Sequence, residues 1–183
     1  LDLAREASKM LGTSAGDSLL SYLPLCHVAE KIFSLFLPLT TGAVVHFGES
    51  IETVQQDLAE VSPSVFLGVP RIWEKMHAQV TLKMQDASWL KRRRYNFFIP
   101  RGEAIAERKR NGNPRFLDTW VFKLGDLLIF RPLQERLGLR RCRMPVSGAA
   151  PISPELLRWF HGIGVEVGEG YGQTESTGVS HIN

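Results

Sequence analysis

Cysteine is scarce in this chain: 183 residues contain two, Cys26 and Cys142, far apart and without partners at metal-ligand spacing. A disulfide framework and a cysteine-built zinc site are thereby excluded, and a reducing, cytoplasmic setting is expected. Long apolar runs are missing as well. Lys31 and the stretch 38–42 interrupt the longest candidate before it reaches the roughly 18 residues that cross a bilayer. Neither an initiator Met nor a signal-like stretch opens the chain, so a processed chain or a piece of a longer one is expected. Internal repeats and low-complexity segments are also lacking. With 44% hydrophobic and 22% charged residues, the composition is that of a globular protein with one sizeable core.

Charge is abundant but uneven. The net charge is +3, yet Lys91 to Arg115 holds nine basic residues against Glu103 and Glu107, a local +7 that leaves the remainder at −4. Such a block attracts anionic lipid, nucleic acid or an acidic partner, although most basic blocks are simply the solvated face of helices. Peripheral membrane contact through this segment is the expectation, and no nucleic acid is expected.

Apolar runs at 19–23, 43–47 and 64–69 alternate with helical periodicity, clearest at Ile51, Val54, Leu58 and Val61. Strands alternating with helices predict an α/β fold with a mostly parallel sheet, and continuous apolar strands such as Val65-Phe66-Leu67 predict helices on both sheet faces. An opening helix is predicted from Leu3, Ala7, Met10 and Leu11. From about 71 to 137 no strand is predicted. Stripes at Ile72, Met76 and Val80, and at Leu117, Val121, Leu124 and Leu128, predict a helical insertion, with Pro100, Asn111 to Pro114 and Pro132 dividing it. The sheet is expected to resume at 143–147. Ser153 reads as the N-cap of a further helix, with Pro154 at its first position, Glu155 near its positive end and Leu156, Phe160 and Ile163 as its buried stripe. Val165 to Val167 is predicted to be a strand.

Next comes the segment Gly168-Glu169-Gly170-Tyr171-Gly172-Gln173-Thr174-Glu175-Ser176-Thr177-Gly178. Glycines let a backbone approach a ligand, Tyr171 offers a flat face for a base, Thr174 can bond a phosphate oxygen, and Glu175 can hold a hard cation. By composition alone, a Gly- and Thr-rich stretch after a strand is more often an ordinary loop. His27, by the same measure, is more often a satisfied histidine at a helix start. A Cys26/His27 dyad is geometrically poor, because neighbouring residues point apart. His46, His77, His161 and His181 form no metal spacing and are given no role.

Tyr171-Gly172-Gln173-Thr174-Glu175 after a short strand resembles the hallmark of the adenylate-forming (AMP-binding) superfamily. Two further segments stand in that family's order. Residues 22–30, with Leu23-Pro24-Leu25-Cys26-His27, resemble its Leu-Pro-Leu-x-His segment; Ser147-Gly148-Ala149-Ala150-Pro151 is similar to its Ser-Gly-Gly-Ala-Pro segment. Val69-Pro70-Arg71-Ile72-Trp73-Glu74-Lys75 before a long helical insertion is similar to long-chain fatty acyl-CoA synthetases. Residues 23–30 together with Trp159 to Gly164 resemble their bubblegum-type branch.

This resemblance implies part of an acyl-adenylating large domain, acting on long-chain fatty acid, ATP and coenzyme A with Mg2+. Tyr171 is implied to stack on adenine, with Gly148, Ala149, Ala150, Gly170, Gly172 and Gln173 around the nucleotide. Thr174 is implied at the α-phosphate, Glu175 at magnesium, and His27 near the junction of carboxylate and phosphate. The family's phosphate loop, ribose-binding aspartate and mobile C-terminal domain have no counterpart in these residues. About a third of an enzyme is therefore expected here, inactive alone. Two alternatives stay open: a non-catalytic nucleotide- or acyl-binding descendant, and a basic module for membrane surfaces.

Overall fold

The structure, a computed structural model, describes residue 8, residues 12–173 and residues 178–182, with backbone only at 178–180. Six strands, β1 (Ser18–Ser21), β2 (Val44–Phe47), β3 (Val65–Gly68), β4 (Met144–Ser147), β5 (Gly168–Gln173) and β6 (Gly178–Ile182), form a sheet of order β2-β1-β3-β4-β5-β6. All neighbours are parallel except β5 and β6, which are antiparallel. The fold is thus α/β with a mostly parallel sheet.

Two sets of helices cover the two faces, and strand alternation shows why. Leu19 and Val65 point one way, into a cluster with Ile32, Phe33, Leu37 and Ala43. Helix α1 (Val28–Lys31) packs Val28 against those residues, which come from a π-helical turn (Ile32–Phe36), α2 (Leu37–Thr41) and the residues that follow. Leu20 and Phe66 point the other way, into the main core with Leu58, Trp73, Met76, Phe130 and Phe160. This second layer is built from α3 (Val54–Val61), α4 (Pro70–Gln85), α5 (Trp89–Arg110), α6 (Phe116–Gly125), a second π-helical turn (Asp126–Phe130), α7 (Arg131–Arg136) and α8 (Pro154–Gly162). An edge-on aromatic chain runs through it: Phe66 meets Trp73 at 5.5 Å and Trp73 meets Phe160 at 5.1 Å. Each such pair adds about 0.5–1.5 kcal/mol beyond burial.

Helices α4 to α7 intervene between β3 and β4, and this excursion departs from the sequence reading at two points: neither Pro100 nor Pro132 breaks it, the helical path running unbroken from Phe116 to Arg136 through the π turn. Pro100 does not divide it: α5 runs through Pro100 as 22 residues. A mid-helix proline costs about 3 kcal/mol, but here it is exposed, so the carbonyl it deprives can face water. Phe98, Ile99, Gly102 and Ile105 are buried around it and hold the helix against α8 and the second π turn. Pro38 and Pro132 do mark irregularity. Each stands just after a π turn, where Leu37 N–H reaches back to Ile32 O and Arg131 N–H to Asp126 O. That longer register skips the donor proline lacks.

At the amino edge of the sheet, Asp17 leads into β1 and Arg143 into β4. Arg143 Nη2 lies 2.6 Å from Asp17 Oδ2, and Ser64 Oγ donates to Asp17 Oδ1 at 2.7 Å. Burial alone would raise the Asp17 carboxyl; hydrogen bonds from Arg143, Ser64 and the Ser14 N–H outweigh it and hold the group well below the usual carboxylate range. The predicted strand 165–167 is not one: Val165 and Val167 are buried in the α8 core, and the strand begins at Gly168, where pairing with Val146 starts. The predicted opening helix lies outside the described residues, apart from Ser8, which is helical.

Candidate functional site at the carboxyl edge of the sheet

In a sheet of order 2-1-3-4-5, the chain leaves β1 in one direction and later returns to add β3 on its other side. Ligands of open parallel sheets bind beyond the carboxyl ends of the strands, near this switch point. Tyr22, just past β1, occupies the crevice. Its hydroxyl donates to Leu67 O at 3.1 Å and accepts the Val69 N–H at 3.2 Å, tying the end of β1 to the end of β3. Burial pushes its phenol up to about 12, so it stays a neutral donor at any physiological pH. Beside it, Gly68 O accepts from Trp73 Nε1 and from the Gly148 N–H, each at 3.2 Å.

Gly148, Ala149 and Ala150 follow β4 directly, and Gly170 to Gln173 form the outer half of β5, so the structure brings these two nominated groups together. A Cβ placed on Gly148 would stand 3.6 Å from Gly170 O, and one on Gly170 would stand 3.1 Å from Val146 Cγ1 and 3.7 Å from Ser147 O. The backbones therefore approach with no side chain between them. Ala149 and Ala150 are exposed on the rim, while Ile152 anchors the loop in the core ahead of α8. Ala149 has φ +71 in the left-handed region, a conformation that suits the glycine of the family pattern better than alanine.

Tyr171 is 53% exposed. Its ring leans on His181 of β6, centroids 5.4 Å apart at 33°, and Gln173 Nε2 donates to its hydroxyl. One face of the ring is thus braced by an imidazole that sequence reasoning left without a role. The pairing Tyr171↔His181 depends on a bulged antiparallel register, which residue spacing does not reveal. The glycine-rich segment is accordingly a strand along 168–173 rather than a loop. Thr174 and Glu175 lie outside the described residues.

His27 is the N-cap of α1. Its Nδ1 accepts the Ala29 N–H at 3.3 Å. An accepting Nδ1 assigns the neutral ring's proton to Nε2, leaving an N–H donor on an exposed side chain. Capping and donation to a ligand are compatible, because they use different nitrogens. His27 is not beside Tyr171: β3 and β4 separate β1 from β5, and three strand spacings place those strands about 14 Å apart. Cys26 is exposed and Cys142 is held by burial at a pKa of about 12, which leaves the latter unreactive.

Two cavities lie elsewhere. One of about 530 Å³ is lined by Glu74, His77, Glu103, Glu155, Arg158 and Trp159; burial lowers the His77 pKa, and burial raises that of Glu103 against the opposing charge of Arg158. Another, of about 990 Å³, opens between α5, α6 and α8 and reaches Gly168 and Glu169. Neither contains the nominated loop residues or Tyr171. The carboxyl edge remains the better site, because glycine backbones and a displayed aromatic face meet at the ends of β4 and β5, with His27 along the same edge beyond β1. Among the described residues no group of three or more His, Cys, Asp or Glu side chains is arranged to hold a metal.

These features define an open parallel α/β domain whose ligand edge is lined by glycine backbone and one aromatic ring. The family model described as AMP-binding enzyme matches residues 2–183, and the chain belongs to that family. It is similar to the human long-chain-fatty-acid–CoA ligase ACSBG2, 31% identical over 174 residues covering 93% of this chain and 26% of that protein. The chicken ACSBG2 is 34% identical over 177 residues, covering 91% and 22%. Among solved structures, the A-PCP didomain of carboxylic acid reductase from Segniliparus rugosus in complex with AMP superposes with TM-score 0.56 at 25% identity, covering 95% of this chain and 22% of that one. A long-chain-fatty-acid-CoA ligase (FadD1) from Archaeoglobus fulgidus has the same fold, with TM-score 0.54, 13% identity and 98% and 28% coverage. The chain spans about a quarter of the length of the curated relatives it matches, 26% for the human protein.

Proposed function

We propose that the protein to which this chain belongs is a long-chain fatty acid–CoA ligase of the AMP-forming type. A carboxylate oxygen attacks the α-phosphorus of ATP, the bond to the β-phosphate oxygen breaks, and pyrophosphate leaves with that electron pair. The coenzyme A thiol then gives up its proton, sulfur adds to the acyl carbonyl, and AMP departs. Catalysis of this kind rests on positioning and on charge stabilisation.

The observation that carries this reading is the meeting of Gly148 and Gly170 at the carboxyl edge beside the exposed ring of Tyr171. A flat ligand fits there: adenine lies against Tyr171, with Gly148, Ala149 and Ala150 small enough to admit it. Gln173 holds the phenol through its hydroxyl, and Gly172 leaves the strand beside the ring without a side chain. His27 Nε2–H orients the attacking carboxylate. Thr174 is assigned to the α-phosphate, and Glu175 would hold magnesium, which would supply charge to offset that developing on the phosphoryl oxygens. The setting is proposed to be cytoplasmic, with peripheral membrane contact.

Pyrophosphate release by the protein of the complete reading frame, with ATP, magnesium and a long-chain fatty acid, tests the reading. Turnover that requires the fatty acid and is lost in Glu175→Ala is expected. Binding of ATP without pyrophosphate release at any chain length overturns it in favour of a non-catalytic descendant.

A further inference from the structure

The basic block at 91–115 separates in the fold into two unlike halves. In its carboxyl half the cations are engaged: Arg108 grips Asp118 at 2.6 Å, Lys109 reaches Glu166 at 3.1 Å, and Arg110 Nη1 lies 3.5 Å from His161 Nδ1. In its amino half the exposed arginines form no ion pair among the described residues and are interleaved with apolar rings; Arg92 donates to Gln85 O and Arg101 to Phe97 O. Arg93 lies over the Trp89 ring at 5.2 Å, and Arg101 over the Phe97 ring at 3.5 Å. Positions 89, 93, 97 and 101 recur every four residues, so ring, cation, ring and cation follow one another along one side of α5.

Helix α6, joined to α5 by the turn at 111–115 and by the Arg108–Asp118 pair, repeats the pattern. Its inner side buries Asp118 and Gly125. Its outer side displays Phe116, Trp120 and Leu124 at 84%, 64% and 52% exposure, and Lys123 lies over the Trp120 ring at 5.7 Å. Spacings of four residues put these three apolar side chains on one stripe. A helix normally turns such a stripe to the core; here the stripe faces out.

We propose that this helical hairpin is a docking surface for an anionic lipid bilayer, with the rings of α5 and α6 entering the headgroup region and Arg93, Arg94, Arg101 and Lys123 meeting lipid phosphates. The occupant follows from charge complementarity: a wholly apolar partner leaves four cations unpaired, and a nucleic acid leaves Phe116 and Leu124 against a polar surface. Aromatic rings flanked by Arg and Lys suit an interface that is apolar below and anionic above. The proposal refines the membrane contact expected of the whole segment Lys91 to Arg115, narrowing it to the amino half of α5 and adding the outer side of α6. It does not depend on the ligase reaction.

The test is sedimentation of the full-length protein with phosphatidylcholine vesicles, with and without about one third phosphatidylserine, in the absence of ATP and fatty acid. Binding confined to the anionic vesicles and weakening with salt is expected. Each cation near such a surface contributes about fivefold in affinity, so Arg93→Gln/Arg94→Gln/Arg101→Gln should bind about a hundredfold more weakly. Phe116→Ala/Trp120→Ala should lose at least tenfold, and Lys109→Gln/Arg110→Gln should bind as the parent does. Circular dichroism and turnover of a soluble medium-chain acid, recorded alongside without vesicles, separate loss of folding or failure of the ligase reading from loss of docking. Equal binding to neutral and anionic vesicles overturns the proposal, as does full binding by the Phe116/Trp120 variant. So does an oligomer that the same variant dissociates without any vesicle binding, which assigns the stripe to a second copy.

Discussion

Helices α5 and α8 cross where each carries a glycine, and this crossing can be tested by a single methyl group. A Cβ on Gly102 would stand 2.2 Å from Gly162 O and 2.9 Å from Phe130 Cζ. Ordinary carbon–oxygen contact is above 3 Å, so Gly102→Ala forces the helices about 1 Å apart at this point; a Cβ on Gly162 would likewise stand 2.8 Å from Glu103 N, so the two backbones are in close contact from both sides. Overpacking of this kind costs about 1–3 kcal/mol, and repacking of the Phe130 ring places this site in the upper part of that range. Alanine's better helix propensity returns about 1 kcal/mol. The net expectation is a loss of about 2 kcal/mol, read as a lowered Tm. Differential scanning fluorimetry of the full-length protein measures it, with Gly112→Ala as comparison. Gly112 has nothing within 4 Å of its Cβ but sits at φ +73, so its substitution isolates the backbone penalty of about 1 kcal/mol. Because α8 carries the Gly148–Ala150 loop through Ile152, Gly102→Ala should also raise KM for ATP while Gly112→Ala leaves it unchanged. A Gly102→Ala protein as stable as the parent, or more so, refutes the close crossing.

Tyr171→Ala should weaken ATP binding by roughly 1–3 kcal/mol, the worth of a base stacked on an aromatic ring, whereas Tyr171→Phe, which loses only the bond from Gln173, should bind nearly normally; isothermal titration calorimetry separates the two. Ala149→Gly should stabilise by about 0.5 kcal/mol and so raise Tm slightly, because relief of the left-handed alanine is partly offset by a looser unfolded chain; a lowered Tm contradicts the strained turn. Asp118 carries a carboxyl lowered to about 2, first by its bonds from Arg108, and a depressed folded pKa gives stability present above about 4 and lost as pH falls toward 2. The Tm difference between parent and Asp118→Asn should accordingly be present at pH 6 and shrink through that window. Arg143→Met should destabilise more than an ordinary surface substitution, since it leaves the buried Asp17 carboxylate without its cation; urea unfolding followed by tryptophan fluorescence checks it.

How far the sequence is legible depends on whether a residue's burial comes from its own element. Strands β1, β3 and β4 could be read, because sheets covered on both faces need continuous apolar runs, as Leu19 with Leu20 and Val65 with Phe66 provide; the edge strand β2 shows the same apolar run although Val44 and Phe47 are exposed. Val165 and Val167 misled for the same reason: they are buried by α8, not by strand neighbours, and apolarity does not say which. β5 is the opposite case. Gly168-Glu169-Gly170-Tyr171-Gly172-Gln173 has almost no strand propensity, and it is a strand because β4 and β6 supply its partners. Tertiary context decides there, and the site lies where it does. A strand without bulky side chains lets Gly170 come close to Gly148, and the same poverty that hides it from propensity opens room for a ligand. The site residues themselves were legible only as a motif. His181 behind Tyr171 and the hydroxyl of Tyr22 between β1 and β3 were not, since both act through partners 10 and 45 residues away that only the strand registers supply. Pro100 was misread by a local rule whose penalty of about 3 kcal/mol is outweighed by four buried neighbours on α5. At Ala149 the sequence departs from the family's glycine and the backbone keeps glycine's conformation. A left-handed alanine retained at an exposed loop is the kind of local strain that collects at functional backbone, which agrees with the role proposed for this loop against adenine.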